Sequence, residues 1–387
     1  MGLLKSVRRD KEIARELARC VADCRPYRLL DMKVYLTRRC NLRCRMCGAW
    51  VDGHEGYEEL SADEVKRAVT QARALGLANL KLFGGEPLLR RDVEEIVEHA
   101  AGLGIRCSLV TNGTLLSPER ARALVEAGLA ELDLSLDAAN PALHDEIRGC
   151  PGTWTRAVHG LQWLVAHRDV VQRHGRRVFI RVNAVVMRQN YEDMPRLVEV
   201  LSELGVDEIA LNPVVPQSDN PRATASQYVL LDEDIIRYNQ EVAPRVCTAD
   251  SGRRLAEGVD SLYLYGRSEQ DRESASQCRY VDRLRVGCCL KPWYYMVVRE
   301  NGDVVACNTV KDPVARLGNI RESMVDEIWQ SEGYRTFRAR CKPPQFEGCE
   351  RCCYRFALLN KGIEDALGTA EAVTTNQEQD GKAVAMN

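Results

Sequence analysis

Residues 33–47 read K-V-Y-L-T-R-R-C-N-L-R-C-R-M-C, an apolar run from Lys33 to Thr37 that leads into Cys40, Cys44 and Cys47. Three thiolates at C-x-x-x-C-x-x-C spacing can hold three corners of a four-iron cluster. The fourth iron is then open to a small molecule, which makes a reaction centre rather than an electron relay. The competing reading is a structural zinc site, which needs one more close ligand, and His54 is the nearby candidate. Spacing alone does not separate the two.

Around that loop, the 387-residue chain is 45% hydrophobic and 28% charged, enough to bury a core in one large or two medium domains. A formal net charge of -2, with no basic run beyond pairs such as Arg176-Arg177, argues against a nucleic-acid partner. Sixteen cysteines include the adjacent pairs Cys288-Cys289 and Cys352-Cys353. The opening Met1-Gly2-Leu3-Leu4-Lys5 is no secretory signal, and no apolar run spans a bilayer. Metal or cluster ligation in a reducing cytoplasm, away from membranes, is expected over a disulfide framework.

Residues 1–31 read as an extension with one charged helix around Lys11 to Ala22, too short for a peptide-binding winged-helix module. Residues 32–215 alternate apolar runs with amphipathic stretches, the pattern of β-α units on a parallel sheet. Six strands are expected: Lys33 to Thr37, Asn79 to Phe83, Arg106 to Thr111, Glu131 to Leu136, Val178 to Val186 and Glu208 to Asn212. Ser61 with Glu64 makes a capping box, and Gly76 closes the helix that follows. Ser117-Pro118 and Gly128 bracket another. The fold class is therefore α/β, a partial (β/α)6 TIM-like barrel whose sites gather at the C-terminal strand ends, next to Cys40, Cys44 and Cys47. Residues 216–277 read as an insertion with some helix over the barrel mouth. Residues 278–360 form a small cysteine-rich β-hairpin and helix domain, and 361–387 a disordered tail.

Gly84-Gly85-Glu86-Pro87 follows the second strand, a tight turn whose glycines admit backbone close to a ligand and whose glutamate adds an acceptor. By itself such a string is usually a plain loop. Thr111-Asn112-Gly113 and Ser135-Leu136-Asp137 put small polar groups at the ends of the third and fourth strands. Capping of the next helix explains Ser135 and Asp137 equally well. Asn183 interrupts the apolar fifth strand, and its amide needs partners, either a ligand or the protein itself.

A second cysteine set lies further on. Cys289 precedes the apolar run Trp293 to Val298, Asn301-Gly302-Asp303 turns the chain, and Cys307 ends the returning arm. Cys349-Glu350-Arg351-Cys352 then supplies a C-x-x-C pair, giving four thiolates, a complete shell for a closed cluster or for zinc. Cys288 can replace Cys289, and Cys353 can replace Cys352, because spacing cannot separate adjacent thiols.

The three-cysteine loop, the glycine-rich turn and the six-unit pattern resemble the radical SAM enzymes, and the cysteine hairpin resembles their C-terminal SPASM or twitch extension. The likeness covers about Lys33 to Tyr354. It implies two [4Fe-4S] clusters, one holding S-adenosylmethionine (SAM) on its open iron and one auxiliary. It implies that Gly84, Gly85, Glu86 and Pro87 meet the SAM amino group, that Ser135 faces its carboxylate or ribose, and that Arg148 pairs the carboxylate. Thr111, Asn112, Asp137 and Asn183 complete the expected contacts, with Leu211-Asn212-Pro213 beneath the adenine. The family usually has an aromatic residue before the last cysteine, where this chain has Met46, which can still pack over a cluster or an adenine.

The resemblance implies reductive cleavage of SAM to a 5′-deoxyadenosyl radical, fed by a flavodoxin- or ferredoxin-type donor, and hydrogen abstraction from a small natural-product substrate, a sugar or cyclitol. Two-electron oxidation of an alcohol through the auxiliary cluster is the expected outcome. An epimerase would need a thiol hydrogen donor, for which Cys288 and Cys278, and beyond them Cys341 and Cys353, are candidates. Peptide maturation is a further alternative. A zinc- or cluster-binding adaptor without catalysis is the opposing class.

Overall fold

The expected strands form in chain order. In the computed structural model, β1 (Asp31–Tyr35), β2 (Asn79–Phe83), β3 (Arg106–Thr111), β4 (Glu131–Ser135), β5 (Phe179–Val186) and β6 (Glu208–Pro213) pair parallel, each with its predecessor. The structure describes residues 2–48, 58–172, 177–214, 225–249, 255, 268–277, 286–307, 310, 315–343, 346, 349, 352, 357 and 359–368. Right-handed crossovers between sequential parallel strands place all the connecting helices on one face. These are α3 (Ala62–Ala74), α4 (Val93–Gly102), α5 (Pro118–Glu126), α6 (Pro141–Arg148), α7 (Thr153–Gln172) and α8 (Met194–Glu203). Ser61 and Glu64 make the anticipated capping box, and Ser117 caps α5 ahead of Pro118.

Strand periodicity divides the sheet. Along β5, Ile180, Val182, Ala184 and Val186 are buried under the helices, while Phe179, Arg181, Asn183 and Val185 alternate onto the inner face. The floor of that face is ionic. Lys81 reaches Asp133 at 2.7 Å, and Arg181 bridges Asp133, Glu131 and Glu208. A buried carboxylate needs such partners, and here four strands share the network.

β1 starts and ends two residues earlier than its apolar run suggests. Pairing fixes it: Asp31 stands opposite Asn79 and Tyr35 opposite Phe83, so Thr37 already belongs to the cysteine loop.

The C-terminal hairpin continues the same sheet. A 3-10 turn at Lys291–Trp293 shortens its first arm to β7 (Tyr295–Val298), which pairs parallel with β1; β8 (Asp303–Val305) and β9 (Arg316–Asn319) follow antiparallel. One nine-stranded open sheet results, in the order β6-β5-β4-β3-β2-β1-β7-β8-β9. Buried Arg338 locks helix Glu332–Ala339 beneath it, donating to the carbonyls of Pro292 and Trp329 at 3.0 Å each.

Three further differences concern the flanks. The N-terminal extension holds two helices, α1 (Gly2–Arg9) and α2 (Lys11–Ala22), and α2 is tied to the C-terminal region by the Trp293 indole N–H on the Cys20 carbonyl, 3.0 Å. In the 216–277 segment, the described helices sit beside α8 and the β6 edge through Arg237–Glu192, Arg188–Asp234 and a bridge from Ile209 to Leu255. The tail expected to be disordered from 361 is helical through 359–368, because Ile363 is fully buried and Gly362 abuts Leu4.

Candidate active site

The cysteine loop leaves β1 and is stitched to its surroundings by backbone. Gly85 N–H donates to Thr37 O and Glu86 N–H to Arg39 O, both at 2.8 Å. A Cβ on Gly85 would lie 2.3 Å from the Arg39 oxygen, and one on Gly84 2.4 Å from the Thr37 oxygen. The close approach that the two glycines permit is therefore to the cysteine loop itself, a role that the sequence reading gave to a ligand.

Glu86 is fully buried and its carboxylate is already engaged. It accepts from Leu88 N–H at 3.0 Å, the Thr111 hydroxyl at 2.8 Å and Asn112 N–H at 2.8 Å. The first of these caps the short 3-10 turn that begins with Pro87. Burial pushes the Glu86 carboxyl above its ordinary value, and these donors work the other way. Asn112 in turn donates from its side chain to Asn41 Oδ1 at 2.9 Å, and Asn41 donates to the Thr114 hydroxyl at 2.8 Å. Glu86, Thr111 and Asn112 thus form a chain of contacts from β2 and β3 into the loop between Cys40 and Cys44. Asn41 and Thr114 escaped the sequence reading; the polar residue set between two loop cysteines was the available signal.

The far side of the loop rests on the C-terminal end of α6. Arg43 N–H donates to Arg148 O at 3.2 Å and Arg45 N–H to Ile147 O at 3.0 Å. The buried Arg148 guanidinium has Nη2 2.8 Å from Asp137 Oδ2 and Nη1 3.9 Å from the Cys44 sulfur. Asp137 Oδ1 accepts from Val185 N–H at 2.9 Å, and its own N–H donates to Nδ1 of buried His144 at 3.1 Å. Asp137 and Arg148 are partners of each other, where the sequence reading gave Arg148 a ligand carboxylate.

Ser135 and Asn183 differ from the rest. They are register partners on β4 and β5, half-buried on the inner face, and among the described residues neither side chain makes a hydrogen bond. Asn212, beside Val185 on β6, uses only its amide nitrogen, on Ala210 O. Met46 is half-buried against the core. Tyr35 crosses Phe83 edge to face at 5.0 Å, completing this rim with Arg299 5.7 Å from its ring.

Cys44 is buried, whereas Cys40 and Cys47 are half-buried, and Leu42 N–H donates to the Cys40 sulfur at 3.5 Å. Burial pushes Cys44 up to about 12 and Cys40 upward, so both are protonated as free groups at neutral pH, and a bound metal would have to displace those protons. Among the described residues, no three Cys, His, Asp or Glu side chains close on one point as the shell of a single zinc ion does; His54 lies outside them. Three cysteines on one loop, with N–H donors aimed at two of their sulfurs, fit an iron–sulfur cluster, whose ligands are spread more widely.

In the second set, Cys289, Cys307, Cys349 and Cys352 are all half-buried. Cys289 N–H donates to Cys341 O at 3.0 Å, and the Asn360 amide donates to the Cys289 sulfur at 3.7 Å. A hydrogen bond from the Cys341 thiol outweighs burial and holds Cys289 down at about 7, while burial takes neighbouring Cys288 up to about 12. Cys341, set aside as a spare thiol on sequence grounds, is packed with Cys289. Asn360 was missed, with no local signal. Cys288 lies near Cys289, Lys342, Glu364 and Cys24. Cys278 and Cys353 fall outside the described residues.

Comparison with known proteins agrees with this geometry. The Radical SAM superfamily model matches residues 34–201, and the SPASM iron-sulfur cluster-binding domain matches residues 288–353. An AdoMet-dependent heme synthase from Methanosarcina barkeri (strain Fusaro / DSM 804) is 30% identical over 333 residues, 83% of this chain and 87% of the relative. The PqqA peptide cyclase of Rhodopseudomonas palustris is 33% identical over 180 residues, 46% of this chain and 45% of that protein. In fold, Streptococcus suis SuiB bound to S-adenosylmethionine superposes with a TM-score of 0.63 at 19% identity, over 85% of this chain and 72% of SuiB. The chain belongs to the radical SAM superfamily, with SAM and a four-iron cluster as cofactors and an auxiliary iron–sulfur centre in its SPASM region.

Proposed function

We propose that this enzyme removes a hydrogen atom from a small polar substrate and completes a net two-electron oxidation at an alcohol carbon. The observation that carries the reading is the Ser135–Asn183 pair. The polar groups around the cysteine loop are taken up by the protein, whereas these two present a hydroxyl and a primary amide to the inner face. Such a lining suits a polyhydroxylated molecule such as a sugar or cyclitol. Cys40, Cys44 and Cys47 are the residues to hold the SAM-binding cluster, and Cys289, Cys307, Cys349 and Cys352 the auxiliary one. Bound there, the cofactors supply a 5′-deoxyadenosyl radical and an acceptor for the electron that the substrate leaves behind. The inner-face residues orient the substrate carbon, and the ionic floor of Lys81, Asp133 and Arg181 closes the barrel below it.

The relatives favour a second reading. The likeness to an AdoMet-dependent heme synthase makes a tetrapyrrole a substrate to test beside the polyols, and the likeness to a peptide cyclase adds a peptide. Epimerisation with a thiol hydrogen donor is the remaining alternative.

The test is anaerobic incubation of reconstituted enzyme with SAM, dithionite and each substrate class. A product two mass units lighter, with substrate deuterium recovered in 5′-deoxyadenosine, supports oxidation. Unchanged product mass with one deuterium gained from heavy water replaces it with epimerisation.

A further inference from the structure

We propose that Arg148 sets the reduction potential of the centre that Cys40, Cys44 and Cys47 would hold, acting through the Cys44 sulfur and not on a ligand. This rests on the assignment of those three cysteines as cluster ligands. Three observations carry it. The guanidinium is 7% exposed, and one Nη faces the Cys44 sulfur at 3.9 Å while the other is fixed on Asp137 at 2.8 Å. The carbonyls of Ile147 and Arg148 are bonded to the same loop, which fixes the root of the side chain there, and the ion pair with Asp137 holds the guanidinium. The loop's own arginines, Arg43 and Arg45, are exposed and solvent-screened, whereas Arg148 is a buried cation with an N–H on one of these sulfurs.

The electrostatics give a sign. Reduction adds one negative charge to a cluster and its thiolates, and a buried cation with an N–H directed at a ligand sulfur stabilises the more negative state. Arg148 therefore raises the potential, making the centre easier to reduce. Asp137 opposes it in part, being a fully buried carboxylate on the same guanidinium. His144 adds no charge, because its Nδ1 accepts the Asp137 N–H and the ring is buried and neutral. The two side chains thus make opposite predictions, which a purely structural role for the pair does not.

The experiment compares full-length wild type, Arg148→Gln and Asp137→Asn after anaerobic reconstitution. Iron is counted, and the EPR signal that a Cys40→Ala variant lacks is followed through a redox titration without SAM. The expected result is a lower midpoint potential in Arg148→Gln and a higher one in Asp137→Asn. Unmoved potentials at full iron content overturn the proposal, as does an unmoved potential with weakened SAM binding, which would return Arg148 to the SAM carboxylate. If Arg148→Gln alone fails to take up iron, Asp137→Asn decides: a rise supports the proposal and no change overturns it. Loss of iron from both variants overturns it in favour of a scaffolding role. Wild type that takes up no iron refutes the cysteine assignment instead, a separate outcome.

Discussion

Gly149 meets the carbonyl of Arg43 so closely that a Cβ on it would lie 2.3 Å from that oxygen, and its backbone is left-handed at φ +70°. The end of α6 and the cysteine loop are thereby fitted to each other at one residue that has no side chain. Gly149→Ala should cost on the order of 1 to 3 kcal/mol from the backbone alone, with the clash added. Iron uptake after reconstitution should fall with it. A variant with wild-type urea midpoint and full iron content would show that the loop yields without consequence.

Removing the Glu86 carboxylate leaves three buried donors, on Leu88, Thr111 and Asn112, without their acceptor. Glu86→Ala should therefore lose roughly 3 kcal/mol of stability, seen as a lower denaturation midpoint before any ligand is added. Glu86→Gln, which keeps one acceptor oxygen, should lose less. Equal stability of wild type and Glu86→Ala would contradict the scaffolding role.

Ser135 and Asn183 should behave in the opposite way. Neither side chain holds the protein together, so Asn183→Ala and Ser135→Ala should unfold within about 0.5 kcal/mol of wild type. Each should weaken SAM or substrate binding by roughly tenfold, the size of one lost hydrogen bond. Calorimetric titration with SAM and the KM of the identified substrate separate the two ligands. A destabilised protein with unchanged binding would assign the pair to the core.

Acid should loosen the barrel floor. Burial pushes Asp133 up, but Lys81 and Arg181 outweigh it and hold the carboxyl below its ordinary value. A depressed carboxyl contributes stability that is present above about pH 3.9, its unfolded-state value, and lost as pH falls through the folded-state value. Stability from this source should be flat from neutral pH to about pH 4 and decline below it. Asp133→Asn should cost roughly 3 kcal/mol at pH 7, since it strips a buried pair of one partner, and should remove part of the acid decline. Urea midpoints at pH 7 and pH 3 check both.

What was legible in the chain was local. The Ser61–Glu64 capping box and the Ser117 cap depend on neighbours within a few residues, and each forms where the sequence places it. Contacts between distant segments were not legible. That Gly84 and Gly85 serve the approach of Thr37 and Arg39 depends on β2 lying beside β1, which no glycine pattern states. Arg148 and Asp137 satisfy each other because α6 turns back over the end of β4. Their spacing alone was equally consistent with two separate ligand contacts. The parallel pairing of β7 with β1 was hidden for the same reason, as a short apolar run beside a turn reads as a free-standing hairpin.

That pairing has a mechanical consequence. The loop bearing Cys40, Cys44 and Cys47 leaves β1, and Cys307 follows β8, two strands away in the same hydrogen-bonded sheet. Strands lie about 4.8 Å apart, so the two roots are offset sideways by about 10 Å, and because β8 runs antiparallel they leave toward opposite ends of the strands. That offset is set by backbone ladders, with no linker between them. An electron passed between the two regions would then need no docking step and no waiting for domains to close. The rate of such a transfer should be insensitive to solvent viscosity, the behaviour of a fixed wire and not of a swinging arm.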